Sequence, residues 1–137
     1  MKEKQKLGEQ ISIMLDKAKG SLKSSLKDIE EGNYDFASSR AYYAVFYAMQ
    51  SVLLTQGLTF SKHQGVISAF NQHFVKTGIF PTEFGNYINR LFNSRLISDY
   101  DFVSNIDERE ARENLRLAEL ILSSIIKYLD KSGFMGE

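Results

Sequence analysis

"FASSRAYYAVFYAMQSVLLTQ", residues 36–56, decides the fold of this chain. Its small residues Ala41, Ala44, Ala48 and Val52 recur every three or four positions, as do the bulkier Tyr42, Phe46, Met49 and Leu53. Those intervals are helical, and a helix apolar on nearly every side belongs at the centre of a bundle or under a subunit interface. From Phe36 to Val75 only Arg40 and Lys62 carry a formal charge. Asp35 is placed to cap this helix, and Gly57 to stop it.

The flanking segments keep the same period. Leu7, Ile11, Met14, Leu15, Ala18, Leu22, Leu26 and Ile29 trace one face of a long first helix closed by Gly32. Ser61 and Gln64 fit a capping box for a third helix, with Val66, Ile67, Phe70 and Phe74 inward and an end before Gly78. The single proline, Pro81, suits the start of a fourth helix carrying Phe84, Ile88, Leu91, Phe92 and Leu96. Asp107 and Glu110 open a fifth, whose inward set is Ala111, Leu115, Ala118, Leu122, Ile125 and Leu129. No alternating strand pattern competes. The reading is all-α: one domain over residues 1–137, a four- to five-helix up-and-down antiparallel bundle, dimeric through its apolar second helix or the end of its fourth.

Composition narrows the chemistry. With 43% hydrophobic and 25% charged residues the chain has a soluble globular profile. Seventeen basic residues balance seventeen acidic ones, so no bulk field draws it to nucleic acid or membrane. The absence of cysteine removes disulfides, thiolate nucleophiles and cysteine metal sites. The two histidines, His63 and His73, are ten apart and not spaced as ligands on one helical turn, so no metal is expected; no cofactor is expected either. The basic start lacks the apolar core of a secretory signal, and no run reaches the roughly 20 apolar residues of a membrane helix. Cytoplasmic residence is the expectation.

Several polar residues ask for partners. Arg40 lies in the most apolar helix and requires a counter-charge if buried, as a structural ion pair or as part of an anion site; Asp99 is the acid expected to meet it. Ser61, Lys62 and His63 stand at a helix start, where free amides and the dipole favour anions, or where a cap and two exposed side chains simply sit. Tyr42, Tyr43 and Tyr47 read as core and interface residues whose hydroxyls need partners. In "FNSRLISDYDF", residues 92–102, Asp99 follows Arg95 by one helical turn and can pair with it, with Tyr100 close by. The trio has no histidine base and no activated nucleophile, so on physical grounds it is a polar helix end.

Taken together, Arg-x-Tyr-Tyr from Arg40, Ser-Lys-His-x-Gly-Val-Ile from Ser61 and Arg-x-x-x-Asp-Tyr from Arg95 resemble the HEPN family, small all-α proteins of prokaryotes. The resemblance runs over nearly the whole chain and implies a helical bundle that usually dimerises. It also implies one of two activities. Some members are metal-independent ribonucleases with an arginine, four to six residues and then a histidine. Others are non-catalytic, bind nucleotide or RNA, or pair with a minimal nucleotidyltransferase in toxin–antitoxin-like systems. Arg95 matches the motif arginine, but the histidine position holds Tyr100. The tyrosine that some members carry two residues further on is Phe102 here. The expectation is therefore a non-catalytic HEPN binding protein with no catalytic residue. Its candidate anion-binding set is Arg95, Asp99, Tyr100, Lys62, His63, Ser61, Arg40 and Tyr43. A ribonuclease with an altered site and a purely structural dimeric scaffold are the alternatives.

Overall fold

A computed structural model of the chain describes residues 2–100 and 105–134, with Tyr100 represented by its backbone alone. Its elements are α1 (Lys2–Glu30), α2 (Tyr34–Leu54), α3 (His63–Phe70), a π-helical turn (Asn71–Val75), α4 (Glu83–Tyr100) and α5 (Glu108–Lys131). Among the described residues every regular element is helical, as the apolar period requires. No described helix is long and apolar enough to cross a membrane.

The second helix is the centre of the bundle. It packs against α1, α3, α4 and α5, and α1 and α4 each also touch α5. Both of its stripes are covered: Ala41, Ala44, Ala48 and Val52 are 0% exposed, and Tyr42, Phe46, Met49 and Leu53 are also buried. The small stripe lets neighbouring backbones approach closely while the bulky stripe fills the space opposite, the layering that a close-packed interior needs. Most of the nearly charge-free stretch is thus covered inside one chain, with Phe36 and Phe60 left exposed.

Helix ends follow local chemistry in some places and not in others. Gly32 and Gly57 adopt φ of 80° and 71°. They close α1 and α2 with Asn33 N–H to Asp28 C=O and Leu58 N–H to Leu53 C=O bonds of 2.7 and 3.1 Å. A left-handed residue just past the helix, with the next amide reaching back five residues, is the arrangement glycine permits without strain. Asp107 caps α5, accepting from the Glu110 amide at 2.9 Å. Two other expected caps do not form. Asn33, not Asp35, precedes α2, and Lys62, not Ser61, precedes α3; neither helix has a side-chain cap bond. Ser98 of α4 ties down the α2 start in another way, its hydroxyl donating to the Asp35 carbonyl at 2.8 Å and not accepting from the helix-start amides.

The expected inward residues of α5 are all buried, as are Val66, Ile67, Phe70 and Phe74. Leu26 is an exception, at 43% exposed. The last turns of α1 face a smaller second core of Ile29, Ala37, Ile106, Ala111 and Leu115, and Leu26 falls outside it. A polar seam crosses the interior: buried Asn114 of α5 donates to Ser38 of α2 at 3.0 Å and accepts from Arg90 Nε of α4 at 3.0 Å.

Candidate functional site

The site forms where α2, the start of α3 and the last turns of α4 meet. Arg95 projects from α4 with its side chain only 14% exposed. Its Nε lies 2.8 Å from Asp99 Oδ2, one helical turn on, as the spacing requires. Its Nη2 donates to the Tyr43 hydroxyl of α2 at 3.0 Å. The guanidinium carbon stands 5.5 Å from the Tyr43 ring centre and 6.0 Å from that of Tyr42, within cation–π range. Asp99 Oδ1 also accepts a long 3.4 Å bond from Ser39 of α2.

His63, the first residue of α3, enters the same cluster. Its ring stacks on Phe46 with centroids 4.1 Å apart, and Nδ1 lies 2.7 Å from the Tyr42 hydroxyl. Burial lowers its pKa from the ordinary 6.5, the Arg95 charge lowers it further, and Asp99 partly opposes both. His63 is therefore neutral near pH 7. Burial pushes the Tyr42 phenol well above its usual value, against the pull of Arg95, so that hydroxyl stays protonated. One cation held by a carboxylate, a phenol and two aromatic faces lies beside a neutral imidazole. Such a set can bind an anionic oxygen, with the guanidinium providing charge and the imidazole a further polar contact.

Arg95, Asp99, His63 and Tyr43 of the expected set are brought together. Ser61 and Lys62 are exposed beside His63, and neither takes a place in the cluster. The side chain of Tyr100, and Phe102, lie outside the described residues. Arg40 calls for correction. It does not meet Asp99: its side chain is 59% exposed and its Nε lies 3.9 Å from Asp28 of α1. The guanidinium reaches solvent along the flank of α2, so no buried charge had to be matched, and Asp99 is taken by Arg95.

Tyr42 and Phe46 touch the candidate cluster, whereas the sequence places them only in the core. The available signal was the tyrosine hydroxyl itself, a buried donor in an apolar helix that had to find an acceptor. Gly65 has a packing role: a Cβ there would come within 3.2 Å of the Phe60 side chain. Among the described residues no group of three or more His, Cys, Asp or Glu side chains is placed to hold a metal ion.

Comparison with known proteins places the chain in a family. The family model described as "HEPN domain" matches residues 11–129. A "UPF0332 protein" of Thermotoga maritima is 43% identical over 94 residues, covering 69% of this chain and 71% of that one. A Methanocaldococcus jannaschii protein named "Putative toxin MJ0142" is 36% identical over 120 residues, covering 88% of this chain and 82% of the relative. The crystal structure of TT1696 from Thermus thermophilus superposes with a TM-score of 0.76, covering 86% of this chain and 97% of that one. Its 18% identity speaks for the fold alone. By the extent of the family match and by these relatives, the chain belongs to the HEPN family.

Proposed function

We propose that this protein is the HEPN component of a toxin–antitoxin-like system and binds a phosphate-bearing ligand, nucleotide or RNA, at Arg95 without cleaving it. In this reading it acts as a homodimer or with a minimal nucleotidyltransferase. The observation that carries the proposal is the Arg95 guanidinium, held by Asp99 and Tyr43 beside neutral His63. Arginine in a partly desolvated, pre-oriented setting is the side chain best suited to phosphate oxygens. The relatives named as toxins support the biological setting. The residue at the expected base position, Tyr100, is a weak base near neutral pH, since a phenol ordinarily titrates near 10.

Calorimetric titration with ATP, AMP and a short single-stranded RNA, with Arg95→Ala as control, tests the binding. Absence of binding, or binding indifferent to Arg95→Ala, removes the site. A parallel incubation of labelled RNA with the protein in EDTA tests the non-catalytic part.

One observation favours a second reading, a ribonuclease with an altered site. His63 brings an imidazole into the cluster that holds Arg95, on a different helix from the family motif. Robust cleavage lost in both Arg95→Ala and His63→Ala would establish it. The two readings part at one proton, the one on the His63 ring.

A further inference from the structure

A neutral imidazole has one N–H and one lone pair, and the neighbour of one nitrogen decides the role left to the other. His63 Nδ1 faces the Tyr42 hydroxyl at 2.7 Å. Two arrangements fit that distance. If Nδ1 carried the proton it would donate to the phenol oxygen, leaving a lone pair on Nε2 that could act as a base. The Tyr42 hydrogen would then need another acceptor. Tyr42 is 0% exposed, and His63 is the hydrogen-bond partner its hydroxyl has among the described residues. Leaving a buried O–H unpaired is costly, which favours the phenol as the donor. The rest of the cluster agrees. The Tyr43 hydroxyl accepts from Arg95, and the Arg95 charge disfavours an imidazolium at His63. Stacking on Phe46 at 4.1 Å fixes the ring plane, and the Tyr42 hydroxyl selects the orientation that puts Nδ1 toward it.

We propose that Tyr42 is a positioning residue: its buried hydroxyl donates to His63 Nδ1, keeps the ring proton on Nε2, and presents His63 as a neutral hydrogen-bond donor to a phosphoryl oxygen beside Arg95, not as a base. The donor role rests on the reading of Arg95 as the anion-binding residue; the position of the proton does not. The pairing also gives a physical reason why an imidazole beside the motif arginine does not restore the missing base. Its one lone pair is occupied by a phenol that burial keeps protonated.

The proton can be read directly. Nitrogen-15 spectra of the ring nitrogens at neutral pH, with His73→Gln to assign the two histidines of the chain, report which nitrogen of His63 bears hydrogen. The expected result is a neutral ring protonated at Nε2 in the wild type, with both tautomers in Tyr42→Phe, which keeps the ring and removes only the hydroxyl. AMP and a short single-stranded RNA are then titrated into both proteins. Tyr42→Phe should weaken binding roughly 5-fold, the worth of one hydrogen bond. A wild-type ring protonated at Nδ1, or a tautomer unchanged in Tyr42→Phe, overturns the pairing. Binding unchanged in Tyr42→Phe overturns the donor role. A ring protonated at Nε2 in a protein that binds neither probe refutes the anion site, and the donor role with it, while leaving the Tyr42–His63 bond in place.

Discussion

Arg95 Nη2 donates to the Tyr43 hydroxyl at 3.0 Å, joining α4 to α2 across 52 residues of sequence. Because of that bond, the guanidinium does not depend on Asp99 alone. Asp99→Ala should therefore cost about 1 kcal/mol, the scale of a partly exposed ion pair, and not the 3–5 kcal/mol of a stranded buried charge. Urea unfolding of the variant measures this. A loss above about 3 kcal/mol would mean that Tyr43 does not hold the charge by itself. The same variant should bind AMP or RNA more tightly, since it removes the carboxylate that competes for Arg95.

Arg40→Ala should change stability by less than about 0.5 kcal/mol, because the side chain is 59% exposed and its contact with Asp28 is 3.9 Å long. It should also leave ligand binding unchanged, since Arg40 lies outside the Arg95 cluster. A clear drop in affinity would place it back in the site.

Asn114 makes a sharper demand on the fold. It is 0% exposed and ties Ser38, also fully buried, to Arg90 of a third helix. Asn114→Ala should cost about 1–3 kcal/mol, because the Ser38 hydroxyl loses its donor and a small void opens in place of the amide. Thermal unfolding gives the number, and Ser38→Ala in the Asn114→Ala background should recover part of it. No recovery would mean that the cost comes from packing alone.

What could be read from the sequence was local. The Asp107 cap of α5 and the glycine stops after α1 and α2 depend on residues within one turn, and all three formed. The burial of α2 follows from its composition. Arg40 was misread because exposure on α2 depends on which flank its neighbours leave open, and no residue near Arg40 in sequence records that. The Tyr42–His63 bond spans 21 residues and exists only because α3 starts against the middle of α2. The π-helical turn at Asn71–Val75 replaced the expected simple continuation of α3, with no glycine or proline within it to announce it. Arg95, Asp99, Tyr43 and His63 all stand in the expected set; the Arg95–Asp99 contact follows from their one-turn spacing, whereas their meeting with Tyr43 and His63 is tertiary.

The proposed homodimer now rests on a smaller surface. One chain covers the apolar faces of α2, and what stays open near the α2–α4 contact is Phe36 at 63% and Ile97 at 45% exposure. They flank Asp35 and Ser98, which are joined by a hydrogen bond. The dimer reading requires a second copy to cover these two side chains. A double Phe36→Lys, Ile97→Lys variant should be monomeric by light scattering at micromolar concentration, against a dimeric wild type. A monomeric wild type would end the dimer reading.

Stability should fall on mild acidification, and His63 should account for a measurable part of the slope. Its folded pKa lies below the ordinary 6.5, through burial first and Arg95 second. Between those two values the unfolded chain binds more protons than the folded one, so stability rises with pH. The contribution of His63 is complete above about 6.5 and is lost as pH falls through the lowered folded value. The groups facing the ring, Tyr42 and Tyr43 on α2 and Arg95 and Asp99 on α4, do not reverse that sign. Among the described residues Asp99 is the group that raises the pKa, and the net direction is down. Urea midpoints measured from pH 7.5 to 5 should decline, and His63→Gln, which removes the titrating ring, should decline less over the same range. Parallel curves for the two proteins would mean that His63 titrates freely, and that the cluster of Tyr42, Phe46 and Arg95 does not enclose it.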